Sequence, residues 1–330
     1  MIYLKDTLIK LIGVLLCIII LFAVHVKYVS TDDKYEDKVS FSEAALKAQE
    51  KETGFYTYDS EDTIVARDDD TRSVLFPDAQ YFLCIDDTDG RIICAKNAHR
   101  RMYPASMTKL VTALVCCDYI ESGEVSLSDE VTVETYYDLS YDGVEPPSLY
   151  PGYTISMKDL MYGLMIGSNN YYSLILGEYL CGSPEAFVNK MNEKVWSLGA
   201  TNSHFENPHG LDDPDHYSTA YDMYLIIREA SKHELLNTID AFKEYEYSYK
   251  DENGNVIDDI TSATNLFLTD RAQLPAGYTL HTWKTGTTDG AGYALAMVLE
   301  KDGHTYITVG ATLDDRIELY DYMVKALCLE

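Results

Sequence analysis

The chain has 330 residues, with 26 Lys+Arg against 54 Asp+Glu and a formal charge of −28 at pH 7. That acid excess excludes a protein that tracks nucleic-acid phosphates, because displacing their counterions needs a basic surface. With 46% hydrophobic and 24% charged residues the chain is neither disordered nor fibrous, and it is long enough for one large or two ordinary domains with a buried core.

Lys5 and Lys10 precede an uncharged apolar run from Leu11 to Val24, the flank and core of an export signal. Counted from Leu8 to Val26, with Lys10 snorkelling, the run approaches the length of a membrane span. No small-x-small cleavage site follows in residues 23–30, and Leu16 stands before Cys17 where a lipoprotein signal needs a small residue. Residues 1–28 therefore read as an uncleaved signal-anchor, in preference to a cleaved signal or a buried core helix. Residues 29–75 are rich in Asp, Glu, Lys and Thr, include the run Asp68-Asp69-Asp70, and read as an acidic stalk with a short amphipathic helix at 41–52.

The organised domain begins near Phe76 and extends to residue 330. Strand patterns at 81–86 and 91–96 flank Asp87-Thr-Asp-Gly90, a hairpin signal, with Leu83, Ile85, Ile93 and Ala95 expected on one face. Pro104-Ala105 opens a helical run to about Glu121, and the chain stays mainly helical to about Asn237. Strands are expected at 279–285, 291–300 and 304–312, followed by a helix from Asp314. Strands at both ends enclosing helices imply an α+β fold, its antiparallel sheet built from N- and C-terminal segments and flanked by helices. None of the seven cysteines forms a CxxC pair, which leaves a zinc ribbon or thioredoxin-like motif unsupported. Cys84 and Cys94 face each other across the hairpin, as a disulfide or, more blandly, as buried thiols.

Three short motifs carry chemistry. In Ser106-Met-Thr-Lys109, serine and lysine lie one helical turn apart, with Cβ atoms roughly 5–6 Å from each other. A serine hydroxyl becomes a nucleophile when a neighbouring base takes its proton, and lysine is such a base once burial and positive charge lower its pKa. Ser168-Asn169-Asn170 offers a second hydroxyl and a carboxamide, although alone it reads as an N-cap or polar turn. Lys284-Thr285-Gly286 closes a strand, and an ammonium and a hydroxyl on an edge strand suit a carboxylate.

Together, in this order, the motifs resemble those of the penicilloyl-serine transferases, and specifically the low-molecular-mass penicillin-binding proteins that are serine-type D-alanyl-D-alanine carboxypeptidases. Residues 103–110, 205–212, 216–220 and 283–288 look like segments of that family, and the resemblance runs from about Gln80 to the C-terminus. It implies a DD-peptidase/β-lactamase-like fold with a mainly helical middle subdomain and no metal or cofactor. It also implies a bacterial cell-envelope location, with the N-terminal segment as the membrane attachment. The family's usual Asp after the SxN asparagine is replaced by Tyr171. Its frequent additional β-rich domain and amphipathic tail find no room after Gly286.

By that resemblance Ser106 attacks the D-Ala-D-Ala amide of a peptidoglycan stem peptide and Lys109 takes its proton. Ser168 passes a proton to the leaving amine, Asn170 positions the acyl-side amide and Lys109, and Lys284 and Thr285 receive the terminal carboxylate. The N–H groups of Ser106 and Thr287 form the oxyanion hole. β-Lactams are implied as covalent inhibitors. Arg316 is either a carboxylate helper or a surface arginine, and Asp222 supports the 205–216 loop or the Ser168 region. His209, Asp212, Asp213, Asp215 and His216 include metal-ligating types, but Pro208 and Pro214 make that loop read as rigid and structural. Three other readings stand beside the carboxypeptidase: a D,D-endopeptidase acting on cross-links, a class A-like β-lactamase, and a non-catalytic scaffold. The β-lactamase reading needs a deacylating Glu followed four residues later by Asn. Glu206 lies near the place, but Gly210 stands where Asn should.

Overall fold

The computed structural model describes residues 71–329 together with two short strands, β1 (Tyr56–Tyr58) and β2 (Thr63–Val65). The signal-anchor at 1–28, the helix at 41–52 and the Asp68–Asp70 run lie outside the described residues. No helix among the described residues is long and apolar enough to cross a membrane. The chain divides into two units, Met1–Tyr58 and Asp59–Glu330. Of the first only β1 is described, and all that follows concerns the second. Residues 71–75, assigned to the stalk by composition, already belong to the folded part. Thr71 O accepts from Ala95 N, and Leu75 O accepts from Lys325 Nζ.

Five antiparallel strands form the main sheet: β3 (Tyr81–Asp86), β4 (Arg91–Lys96), β9 (Thr279–Thr288), β10 (Gly292–Lys301) and β11 (His304–Leu313). Their order is β4-β3-β11-β10-β9, so the early hairpin joins the late meander through β3 and β11, as the strand patterns at the two ends of the domain predict. The expected one-sided burial of the hairpin does not hold. Residues 82–86 and 92–95 are buried without alternation, because helices cover both faces of the sheet. A bulge between Cys84 and Ile85 also sets Ile85 opposite Ile92 and not Ile93. Cys84 and Cys94 are register partners and both are buried free thiols.

Seven α-helices follow in the described chain: α1 (Lys109–Glu121), α2 (Met157–Met165), α3 (Asn170–Cys181), α4 (Pro184–Ser197), α5 (Ala220–Ala230), α6 (Glu234–Asp240) and α7 (Arg316–Leu327). Their starts are written in the sequence: the side chains of Ser156, Asn169, Ser183, Thr219 and Asp315 each accept a backbone N–H from the first turn. α1 is buried on every side from Lys109 to Cys117, the mark of a helix at the centre of a core. Its first residue is therefore a lysine held where water does not reach.

The middle of the chain is not purely helical. β5 (Glu130–Thr132), β6 (Thr154–Ser156), β7 (Glu244–Lys250) and β8 (Val256–Ser262) form a second antiparallel sheet in that order. β7 reads Glu-Tyr-Glu-Tyr-Ser-Tyr-Lys, a period of two that exposes 244, 246, 248 and 250. Its tyrosines turn the other way and meet other rings: Tyr245 stands 4.2 Å from Tyr162, Tyr247 6.5 Å from Tyr172, and Tyr249 6.1 Å from Tyr153. Three of the chain's 28 tyrosines thus form the inner face of β7 and three more pack against them.

Candidate active site

Pro104 leads into a 3₁₀ turn, Ala105–Thr108, that joins α1 and carries Ser106 half-exposed at its surface. Ala105 holds the left-handed backbone at φ +49°, as does Ser168 at +60°. Such strain costs about 1–3 kcal/mol per residue and persists where the surroundings enforce it. Here the surroundings are two glycines. A Cβ on Gly210 would lie 1.9 Å from Ala105 O, and one on Gly286 would lie 2.9 Å from Ala105 Cβ and 3.1 Å from Ser106 N. The 205–217 loop and β9 therefore clamp the serine turn from two sides at distances only glycine permits.

Lys109 Nζ donates to Ser106 Oγ at 2.9 Å, to Asn170 Oδ1 at 2.6 Å and to His209 O at 2.7 Å. None of its acceptors is a carboxylate. Burial, and then the charge on Lys284, hold its ammonium well below the usual lysine range. Ser168 and Asn170 straddle the start of α3, and the residue between them, Asn169, is the N-cap, accepting from Tyr171 N and Tyr172 N. The motif is thus both a helix cap and a site element. Ser168 Oγ is buried without a hydrogen-bond partner among the described residues. Tyr171 and Tyr172, where the motif departs from its family, are buried in the core and displace none of these groups.

β9 is the edge strand of the main sheet and carries Lys284, Thr285 and Thr287. Lys284 is fully buried, its Nζ donating to Thr285 O at 3.2 Å. Burial pulls its pKa down to about 7, with Asp240 working in the opposite direction. Thr285 Oγ1 lies 2.5 Å from Thr264 Oγ1, and the guanidinium of Arg316 donates to Thr264 O. Arg316 is therefore half-buried and tied to Thr264, whose hydroxyl meets Thr285, and is not loose at the surface. Alternate N–H groups of an edge strand point away from the sheet. Thr285 and Thr287 share that outward side with Trp283, whose N–H already reaches outward to Asp240.

The histidine- and aspartate-rich loop is held by hydrogen bonds. His216 Nδ1 accepts from Glu206 N, so Nε2 carries the proton and donates to Thr108 Oγ1 at 2.8 Å. Burial lowers His216 to about 4, and burial with Lys109 lowers His209 to about 3, so both rings are neutral at pH 7. Asp212 accepts from Thr288 Oγ1 and Gly290 N, pinning the β9–β10 turn. Asp222 accepts from Asn202 N and Ser203 Oγ and so secures this loop region, away from Ser168. The Glu206 carboxylate pairs with His204 at the surface.

The fold brings Ser106, Lys109 and Asn170 into one hydrogen-bonded cluster and sets Lys284 close enough for its charge to act on Lys109. Asp240, Thr264 and the His216–Thr108 link belong to no tripeptide motif and are joined to the site only by the fold.

The sequence profile of the D-alanyl-D-alanine carboxypeptidase family matches residues 34–315. The D-alanyl-D-alanine carboxypeptidase DacF of Bacillus subtilis is 35% identical over 164 residues, 50% of this chain and 42% of that protein. DacC of Escherichia coli, of the same description, is 31% identical over 245 residues, 73% of this chain and 58% of its own length. The chain thus spans about half the length of the curated relatives it matches. Among solved structures, the Streptomyces K15 DD-transpeptidase superposes with a TM-score of 0.68 at 23% identity, covering 76% of this chain and 96% of that one. The D-alanyl-D-alanine carboxypeptidase DacD from Francisella tularensis gives 0.64 at 22% identity, covering 76% and 70%. These two establish a shared mixed α/β DD-peptidase fold. With the profile spanning most of the chain and the clustered Ser106, Lys109 and Asn170 inside it, this chain belongs to the D-alanyl-D-alanine carboxypeptidase family.

Proposed function

We propose that the protein is a serine-type D-Ala-D-Ala carboxypeptidase that removes the terminal D-alanine from peptidoglycan stem peptides through an acyl-serine intermediate. The observation that carries this reading is the hydrogen bond from the buried Lys109 Nζ, which meets no carboxylate, to the half-exposed Ser106 Oγ. A lysine in that environment gives up its proton readily and is then a base for the serine. Ser106 Oγ attacks the carbonyl carbon of the D-Ala-D-Ala amide while its proton passes to Lys109. The N–H groups of Ser106 and Thr287 stabilise the oxyanion, a contribution of roughly 3–4 kcal/mol if one is lost. The C–N bond then breaks as Lys109, through Ser168, protonates the leaving amine. Water next cleaves the ester, restoring Ser106 and releasing the shortened peptide. Asn170 orients Lys109 and the acyl-side amide, and Lys284 and Thr285 take the terminal carboxylate.

The same chemistry makes β-lactams covalent inhibitors, since their strained amide acylates Ser106. The apolar segment at 1–28 supports attachment to the outer face of a cytoplasmic membrane, with the catalytic domain in the cell envelope. A β-lactamase reading is disfavoured because Glu206 is paired with His204 at the surface.

A peptide ending in D-Ala-D-Ala should release D-alanine, and Ser106→Ala should cut kcat/KM by about 10³-fold or more and abolish labelling by fluorescent penicillin. Penicillin labelling without D-alanine release from any such peptide would move the assignment to a D,D-endopeptidase, which mass spectrometry of muropeptide products identifies. Rapid turnover of penicillin would move it to a β-lactamase.

A further inference from the structure

Beside the serine turn the fold leaves a cavity of about 310 Å³ that none of the catalytic groups lines. Tyr103 and Gly290 belong to its wall, and each ties it to the site. Tyr103 stands three residues before Ser106, and Gly290 lies in the turn that follows Thr287 and Thr288 on β9. The two touch: a Cβ on Gly290 would lie 3.0 Å from Tyr103 Cδ2. Met102 and Ser218 exchange both backbone hydrogen bonds, at 2.8 and 3.0 Å, which lays residues 101–103 along Tyr217. There the exposed Arg101 guanidinium covers the Tyr217 ring at 3.9 Å from its centre, and both side chains wall the cavity. Stacking of this kind fixes the plane of the guanidinium, and its N–H donors lie in that plane. Arg101 is the one charged residue among the described residues of the wall. The carboxylate of Asp212, which touches the same turn, is taken up by Thr288 Oγ1 and Gly290 N. Thr312, also in the wall, holds the left-handed backbone at φ +61°, where the register of β10 with β11 shifts. A β-branched residue there is strained, and such strain gathers at ligand sites.

The geometry points to this cavity as a subsite for the residue immediately upstream of D-Ala-D-Ala, one whose long side chain ends in a carboxylate that Arg101 receives. The assignment rests on the carboxypeptidase reading for the direction in which the substrate lies. With the terminal carboxylate at Lys284 and Thr285 and the reacting carbonyl at the Thr287 N–H, the substrate runs antiparallel to β9. Its upstream residues therefore continue past Thr287 toward Gly290. From Thr287 to Gly290 the chain spans at most about 11 Å, a distance that one upstream residue and its extended side chain can cover. A planar fork of N–H donors suits a carboxylate, and tyrosine faces suit the methylenes that lead to it. Because the contact is remote from the bond that breaks, it is made equally before and during acylation and acts on KM.

The test compares an Nα-acetyl tripeptide of α-aminopimelate followed by D-Ala-D-Ala with the same peptide carrying that side-chain carboxylate as its amide. The wild type should favour the acid peptide by about tenfold in kcat/KM, through KM, the worth of one charged hydrogen-bonded contact. Arg101→Gln should bring the acid-to-amide ratio close to one, and Arg101→Lys should keep part of the preference. Gln80→Glu sets a competing carboxylate in the same wall, spares the Arg101–Tyr217 stack, and should also lower the ratio. Equal rates on the two peptides in the wild type, or a ratio that Arg101→Gln leaves unchanged, would overturn the subsite. Should Arg101→Gln fail to fold, Gln80→Glu decides: an unaltered ratio overturns it. Acylation by penicillins whose side chain ends in a carboxylate or in its amide gives the same ratio without any D-alanine release. A wild type that is acylated but releases no D-alanine therefore refutes the carboxypeptidase reading, while the acylation ratio still tests Arg101.

Discussion

At the scale of single residues, Ser168 separates function from stability. Its Oγ makes no protein hydrogen bond among the described residues, whereas Asn169 beside it caps α3 with two. Ser168→Ala should thus leave stability within about 0.5 kcal/mol while lowering kcat by about 10²-fold or more, measured by thermal melts beside steady-state kinetics. Asn169→Ala should do the reverse, costing about 1 kcal/mol through the lost cap. The sequence showed Ser106, Lys109, Ser168, Asn170 and Lys284 because each sits in a short ordered motif. Asp240 was illegible for a physical reason. Its part in the site is to hold the Trp283 N–H next to Lys284, and burial of a polar residue at the end of a seven-residue helix leaves no periodic or local signature.

At the scale of elements, the serine turn depends on the loop that wraps it. Gly210, at φ +91°, cannot accept a side chain without striking the carbonyl of Ala105. Gly210→Ala should cost about 2–4 kcal/mol and suppress penicillin acylation, because the only relief is to move the turn that carries Ser106. Acylation rates together with denaturant melts check both halves. The main-sheet strands were legible from short strand patterns and turn residues, and α7 from the helical run placed from Asp314. The second sheet was not recognised although β7 alternates cleanly. Its strands come from three separated stretches of the chain, and only β7 and β8 pair as a local hairpin, so no one stretch announces the whole sheet. Covered faces also hid the sidedness of β3 and β4: when helices pack on both sides, the alternation that reveals a strand's orientation disappears.

For the whole molecule, two buried neutral histidines make stability depend on pH. Both have folded pKa values depressed below the ordinary 6.5, His216 to about 4 and His209 to about 3. Between pH 6.5 and these values the unfolded chain binds protons that the native state refuses, so stability is full above pH 6.5 and is lost as pH falls. For His216 the loss is about 3 kcal/mol by pH 4. From this cause Tm should decline below pH 6.5, and His216→Gln should flatten the decline between pH 6.5 and 4. The pairing of β3 with β11 has a consequence of a different kind. Asp86 and His304, in contact where these strands meet, are 218 residues apart in sequence. During synthesis β3 and β4 emerge as a hairpin some 218 residues before the strand that pairs with β3. Such non-local closure is slow to form. The residues between these two strands are therefore made before the β3–β11 pair of the main sheet can close.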